Sequence, residues 1–204
     1  MLKSVTIVRL HDEATAGWHR AESYAGGDEA LAELVLEQHR ANYDLWHEED
    51  EARSPEASDA MIARVKRAID RLNQRRNDLV EQIDVMLLSA AGEQNESAPL
   101  HSETPGLIVD RLSILGLKVF HTAQEARRES ASEEHRERNR ARLEVLLQQR
   151  NDLARCLDEL WEQIVAGDRR FRLYRQMKMY NDPELNPAVY RKSGGETGGG
   201  GIDR

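Results

Sequence analysis

The sequence predicts an all-α protein: a helical bundle of two sequence-related antiparallel helical hairpins, with a short N-terminal helix and a C-terminal clasp. Three observations lead to this prediction. The 204-residue chain is 32% charged and 39% hydrophobic and has only five prolines, a composition typical of long solvated helices. Apolar residues recur at alternating steps of three and four, which is helical spacing. One segment of the chain also repeats another at a fixed offset.

The repeat has an offset of 74 residues and is clearest between residues 47 and 84. Aligned without gaps, 14 of those 38 positions are identical to their counterparts, whereas unrelated segments share about two or three. The longest shared run is Arg-Asn-Asp-Leu, at residues 76–79 and again at 150–153. We expect a tandem duplication, with hairpin repeat one at about 28–91 and hairpin repeat two at about 102–168.

Repeat one is expected to contain a helix from near Asp28 to Arg53 and a second helix from about Ser58 to Leu88. Ser58 suits the N-cap position, because its hydroxyl can accept a hydrogen bond from the first-turn amides. The second helix carries an apolar seam with heptad spacing, formed by Ile62, Val65, Ile69, Leu72, Leu79, Ile83 and Met86. Long helices with such seams favour self-association.

Repeat two begins with capping signals. Thr104 can cap a helix in which Pro105 takes the first position, where a missing N–H costs nothing. This helix is apolar on two faces, so we expect it to be central. Its partner is expected from about Ser132 to Val165, and Gly167 provides the stop.

The flanking segments complete the prediction. A short helix is expected over residues 4–20, and a short helical stretch after Arg169, ending in Tyr180, forms the clasp. Residues 1–192 are expected to make a single all-α domain. Residues 193–204 form a glycine-rich tail that we expect to be disordered.

Charge and cysteine content limit the partners and the compartment. Residues 1–100 hold 11 Lys and Arg against 20 Asp and Glu, and the whole chain has a net charge of -8. Phosphate backbones require a basic face, so no nucleic-acid partner is expected. No apolar run approaches the ~18 residues of a membrane span, and the N-terminus does not resemble a signal peptide. The single Cys156 fits a reducing compartment, so we expect a cytoplasmic protein.

Two arginines, Arg76 and Arg150, interrupt the apolar seams at equivalent positions. Beside each seam runs a stripe of acid, amide and acid at seven-residue spacing: Asp70, Asn77 and Asp84, then Glu144, Asn151 and Asp158. Two interpretations stay open. The arginines and acids can form buried clasps that set the register of the hairpins. Alternatively, they converge on a cleft between the repeats and bind a polar or anionic small molecule.

The first helix of each repeat carries a histidine, His47 or His121, four residues before a glutamate. Counting back from the turns places His47 across from Arg64 and His121 across from Arg138. On the cleft hypothesis, either histidine would carry a proton in an enzyme acting on a phosphorylated sugar or nucleotide-sugar. Its phosphate would be neutralised by three arginines: Arg76, Arg111 and Arg150.

Repeat one carries an acidic run that repeat two lacks: Glu48, Glu49 and Asp50. Three neighbouring carboxylates allow a magnesium site, but such a cluster is more often a solvated face near a helix end. Asp44 and His47 match half of a di-iron helix motif, but Lys118 stands where repeat two would need the acid. We therefore expect no cofactor, with magnesium at the acidic run as the alternative.

Long motifs of this chain resemble a bacterial family called domain of unknown function 4254. They are Leu45–Asp50, Lys66–Asp70, Asn73–Asp78, Ser102–Gly106, Asp110–Leu115 and Tyr174–Pro183, and the similarity covers roughly residues 4 to 190. The resemblance brings no activity; its relatives are often encoded beside glycosyltransferases. It implies the pathway of surface polysaccharides and, through the polar motifs that members share, favours a ligand site. We expect a non-enzymatic helical interaction protein, an accessory of surface-polysaccharide assembly that acts with a protein partner or a second copy. The alternative is the sugar-phosphate enzyme or binding protein.

Overall fold

The structure is a computed structural model and describes residues 3–22, 29–175 and 184–186. This part of the chain contains five helices: α1 (Ser4–His19), α2 (Ala30–Ala52), α3 (Asp59–Ala91), α4 (Pro105–Arg127) and α5 (Glu133–Ala166). It contains no strand beyond an isolated bridge between Leu100 and Arg170. Helices α2 and α3 pack as one hairpin, and α4 and α5 as a second. The all-α prediction is confirmed.

The predicted helix ends are confirmed by their caps. The hydroxyls of Ser58, Thr104 and Ser132 each accept a hydrogen bond from a first-turn amide, at 3.2–3.3 Å. Pro105 follows Thr104 at the start of α4. Gly167 ends α5 with φ of +78°, a left-handed conformation that favours glycine.

Helices α1, α2 and α4 run in the same direction. Their side-chain contacts ascend together, His11–His39–Ser113 near the middle and His19–His47–His121 near the C-terminal ends. Helix α3 returns antiparallel to α2, since Arg64 and Arg75 pair with Glu51 and Glu37. Helix α5 is antiparallel to α1. The three parallel helices thus bring their ends together.

The main apolar core lies among all five helices, and its most buried members include Val35, Ile83, Val109, Leu112 and Leu157. Helix α4 contacts each of the other four helices, as its two apolar faces predicted. A second, smaller cluster of Leu45, Val65 and Ile69 stabilises α2 against the first half of α3. None of the described helices combines the length and apolarity needed to cross a bilayer.

The segment after α5 corrects one prediction. Residues 170–175 are not helical, and Arg170 forms an isolated bridge with Leu100. The backbone of Arg170 exchanges hydrogen bonds with Pro99 and His101 (3.2 and 2.8 Å), and Phe171 is buried beside them. The left-handed Gly167 ends the helix, and these backbone bonds hold the next residues against the α3–α4 connection.

The chain divides into two compact units, residues 1–173 and 174–204, and all five helices belong to the first. Of the second unit only residues 174–175 and 184–186 are described. Most of the predicted clasp and the glycine-rich tail lie outside the described residues.

Candidate functional site

A row of polar side chains is buried between the parallel helices α1, α2 and α4, with His39 at its centre. The His39 ring lies 2.8 Å from Thr15 Oγ1 through Nε2, and 2.7 Å from Ser113 Oγ through Nδ1. The Thr15 hydroxyl donates to the carbonyl of His11. His39 therefore donates to Thr15 through Nε2 and accepts from Ser113 at Nδ1.

Burial keeps the central imidazoles neutral. It lowers the pKa of His39 to about 3. The His11 ring stacks on His39 with centroids 4.4 Å apart, and burial, followed by repulsion from His39 and Arg150, lowers the pKa of His11 well below its usual value. Both rings stay uncharged at neutral pH, which lets them pack inside the bundle.

The other end of the row is a buried carboxylate, Asp110 in α4. It accepts hydrogen bonds from the amides of Gln38 and Asn42, and the Arg76 Nε lies 3.5 Å from it. Burial raises the pKa of Asp110, while the Arg76 charge and the Asn42 bond act in the opposite direction. One of the two predicted seam arginines thus compensates a buried acid of the other hairpin.

A histidine cluster, formed by His19, His47 and His121, lies where the three parallel helices end. Its ring centroids are 5.2 Å (His19–His121), 5.4 Å (His19–His47) and 6.1 Å (His47–His121) apart. Burial and repulsion from His19 lower the pKa of both His47 and His121. Aromatic rings enclose the cluster, from Tyr43, Trp46 and Phe120.

A groove of about 480 Å³ opens between the first hairpin and α4, and we call it the central groove. Its walls combine one indole with amides, charged groups and aliphatic side chains. They are Asn42, Leu45, Trp46, Glu49, Asp50, Arg53, Asn73, Arg76, Ile114 and Leu117. Arg53 pairs with Glu49 at 2.8 Å, and Arg76 with Asp110. The central groove lies beside both the buried row and the histidine cluster.

Other predicted site residues line two further grooves. His47 and Glu48 line a groove of about 500 Å³ between α2 and α3, opposite Arg71 and Arg75. Arg111 lines a groove of about 730 Å³ between α4 and α5 and donates two 2.9 Å hydrogen bonds to Glu103.

Arg150 is sealed on α1. Its side chain is 11% exposed, and Nη1 donates to Asp12 at 2.7 Å. Asn77 is half-buried on α3, and Asn151 is exposed on α5. The predicted groups therefore do not converge on one cleft. Arg150 forms a nearly buried ion pair, as the first of the two interpretations expected.

The stripe acids Asp84 and Asp158 cap other helices. Asp84 accepts from the Thr104 hydroxyl and from the N–H of Gly106 (2.7 Å) at the start of α4. Asp158 accepts from the N–H and hydroxyl of Ser4 (2.8 and 2.6 Å) at the start of α1. A carboxylate at a helix N-terminus satisfies first-turn amides and matches the helix dipole.

The contacts across the hairpin turns agree with the register that the sequence predicted. In repeat two, Glu125 pairs with His135 at 2.8 Å, which in antiparallel helices places His121 opposite residues 138–139. In repeat one, Arg75 pairs with Glu37, which places His47 opposite residues 64–65, although the Arg64 side chain itself reaches one turn further and pairs with Glu51.

Metal binding was considered at Glu48, Glu49 and Asp50. Within residues 3–22, 29–175 and 184–186, no three His, Cys, Asp or Glu side chains are grouped so that they could hold a metal ion. Glu48 instead faces the α2–α3 groove, and Glu49 and Asp50 face the central groove.

Sequence reasoning missed the buried polar row and His19. The identities between the repeats begin at residue 47, whereas His39 and Ser113 align at the same offset but differ in type. One signal was available: Gln38 and Asn42 are four apart, as are His11 and Thr15. Polar residues at that spacing share one helix face.

Comparison with known proteins gives one match. A family model described as protein of unknown function (DUF4254) matches residues 32–173, well over half of the chain. The chain belongs to this family, as its motifs indicated. No curated protein matches it, and no solved structure does. The family description states no activity, so function must be argued from the residues.

Proposed function

We propose that this protein, a member of that family of unknown function, binds a carbohydrate in its central groove. The observation that carries the proposal is the composition of the groove walls: the indole of Trp46 beside amide and charged side chains, with aliphatic residues on α4. The volume of about 480 Å³ falls in the range of small-molecule sites.

Trp46 and its neighbours match the two surfaces of a sugar. A pyranose has C–H groups on one face and hydroxyls around its edge. An indole packs against the C–H face, since aromatic rings supply a large apolar surface. Asn73 offers amide donors and an acceptor for the hydroxyls, and Asp50 offers acceptors. The amide of Asn42, at the floor of the groove, already donates to Asp110 and Ser113. An indole with polar side chains beside it is therefore complementary to a carbohydrate.

The charges in the groove favour a neutral sugar over a phosphorylated one. Arg53 is paired with Glu49, and Arg76 with Asp110. Asp50 lies outside these two pairs, so the groove has no surplus of positive charge. A phosphate requires arginines that are not already neutralised. Arg111 and Arg150, the other predicted phosphate ligands, lie elsewhere.

The histidines do not support the enzymatic alternative. His47 lines the neighbouring α2–α3 groove, and His121 stacks behind Trp46. A general acid or base must reach the transferred proton directly or through one water. Binding of a carbohydrate, rather than its conversion, is thus the proposal.

The test is titration of the protein with glucose, galactose, mannose and N-acetylglucosamine, and with their nucleotide-diphosphate forms, followed by amide chemical shifts and thermal unfolding. We expect saturable binding of at least one neutral sugar, with shifts at the central groove. Trp46→Ala and Asn73→Ala should each weaken it at least ~10-fold, the effect of losing a stacking or hydrogen-bonding partner.

Two controls match these variants. Asn151→Ala removes an amide from an exposed position on α5, and Arg75→Met removes an arginine from the adjacent groove. Both should bind like the wild type. Failure of every sugar to bind, or equal binding by Trp46→Ala, would contradict the proposal.

Self-association is a second candidate, favoured by aliphatic side chains on the two outer helices. Ile62, Val85, Val145 and Val165 are 44–60% exposed on α3 and α5. A sugar-binding dimer would suit a cytoplasmic accessory protein of surface-polysaccharide assembly, the role expected from the sequence and its family resemblance. Light scattering tests it: a single-chain mass of 23.3 kDa at high concentration would exclude a stable dimer.

A further inference from the structure

We propose that His121 is a positioning residue for the central groove, holding the Trp46 indole as its aromatic wall. The two rings are stacked, with centroids 4.7 Å apart and planes only 7° from parallel. Trp46 belongs to α2 and His121 to α4, so the second hairpin supplies the backing for a wall of the first. Only the consequence for ligands rests on the proposed function; the stack is independent of it.

The imidazole of His121 packs against one face of the Trp46 indole. His121 covers that face, and the indole lines the central groove. An aromatic wall orients a ligand only if its plane is fixed, and a parallel ring at van der Waals distance restricts tilting. Without the imidazole, the indole could turn toward the space that His121 now fills.

His121 is itself held by neighbouring rings and by a side-chain hydrogen bond with Gln124, but not by any hydrogen bond at Nε2. The His19 ring lies against it at 5.2 Å and 69°, and Phe120 lies at 5.5 Å and 89°. Its Nε2 is buried and has no hydrogen-bond partner. Since Nε2 makes no hydrogen bond, the stack on Trp46 depends on the planar shape of the His121 ring. A phenyl ring at this position should therefore keep the stack.

The charge on His121 provides a second readout. From α1 and α2, His19 and His47 oppose its protonation, whereas Asp50 favours it. His47 in turn faces Asp44 and Arg40 on α2, and shares its groove with Arg71 and Arg75 of α3. At neutral pH the stack is neutral. A proton taken up in acid places a cation on the indole face and beside Asp50.

The primary experiment uses the ligand-free protein and the fluorescence of Trp46, obtained as the difference between wild type and Trp46→Phe. His121→Ala should shift this emission to longer wavelength and increase its quenching by iodide. His121→Phe should restore the wild-type spectrum. His101→Ala is the matched control, because His101 lies in the α4–α5 groove and should leave Trp46 unchanged.

The pH profile separates positioning from general stability. An imidazolium quenches a stacked indole, so Trp46 emission should fall in acid, at a pH lower than that at which an ordinary imidazole titrates, because burial lowers the pKa of His121. His121→Phe should abolish that fall. Histidine proton shifts of the wild type provide a check that needs no variant: His121 and His47 should titrate together. Unchanged Trp46 emission in His121→Ala, no rescue by phenylalanine, or acid quenching that persists in His121→Phe would overturn the proposal.

Titration of the His121 variants with the sugars distinguishes the two proposals. If a monosaccharide of the panel binds, His121→Ala should weaken it several-fold and His121→Phe should restore it. If none binds while Trp46 fluorescence behaves as expected, the proposed ligand is wrong and the positioning role stands. If a sugar binds through Trp46 but equally well to His121→Ala, the ligand is right and the positioning role is wrong.

Discussion

The carboxylate of Asp84 in α3 accepts a 2.7 Å hydrogen bond from the backbone N–H of Gly106 in the first turn of α4. The approach is so close that a Cβ on residue 106 would lie 2.7 Å from Asp84 Oδ1 and 2.9 Å from the Val80 carbonyl oxygen. The cap that starts α4 thus depends on a residue without a side chain.

Gly106→Ala should therefore destabilise the protein by about 1–3 kcal/mol, the usual cost of overpacking. Gly116→Ala is the matched control on the same helix, because its Cβ would meet His11 at an ordinary 3.5 Å. Alanine also favours helices over glycine by ~1 kcal/mol, so this variant should be as stable as the wild type or more so. Urea unfolding measures both, and equal losses would contradict the close approach.

Asp84 should also make stability depend on pH. Burial raises the pKa of Asp84 to about 6. A carboxyl whose pKa is raised by folding stabilises the folded state when protonated, and this contribution is lost as the pH rises through about 6. Between pH 5 and pH 7 the loss amounts to about 1 kcal/mol by linkage. Asp84→Asn should remove this slope, measured as the difference in unfolding free energy from wild type.

His39 should act in the opposite direction. Its pKa is lowered to about 3, so unfolding exposes an imidazole that takes up a proton below about pH 6.5. The stability it confers is complete above pH 7 and falls as the pH falls, by about 2 kcal/mol at pH 5.

The test compares His39→Gln with wild type at pH 7.5 and 5.0. The variant should be less stable at both pH values, since it disturbs buried hydrogen bonds, but should lose less stability on acidification. His101→Gln, at a partly exposed site, should keep the wild-type slope. An unchanged slope in His39→Gln would mean that this ring is not held neutral.

Burial should separate two ion pairs of α5 that have similar lengths. Arg150 pairs with Asp12 at 2.7 Å and is 11% exposed, whereas Arg155 pairs with Asp152 at 2.8 Å and is 69% exposed. Double-mutant cycles should give about 1–2 kcal/mol for the first pair and no more than about 0.5 kcal/mol for the second. Coupling energies of equal size would show that the burial of Arg150 against α1 does not strengthen its ion pair.

The helices were predictable because their signals are local. Three N-cap hydroxyls begin helices through hydrogen bonds to first-turn amides: those of Ser58, Thr104 and Ser132. Gly167 ends α5 through its left-handed dihedral angles. Such capping is independent of what packs against the helix. The segment after α5 is the exception. Residues 170–175 were expected to be helical, but the backbones of Arg170 and Phe171 form hydrogen bonds with the α3–α4 connection, which is distant in the sequence.

The candidate site was less predictable, because its members belong to different helices. The repeat pattern singled out Arg76 and Arg150, but nothing local indicates that one reaches Asp110 and the other Asp12. Likewise, His47 and His121 were noticed, whereas His19 completes their cluster from a helix that the repeat does not include.

The amino-acid sequence alone determined the helical class, the ends of the helices and the family, since periodicity, caps and motifs are properties of neighbouring residues. Tertiary structure alone decided which polar groups are compensated in the core and which line a groove. That division depends on the direction and register of the packed helices. A shift of one helical turn moves a side chain 5.4 Å and changes its partner.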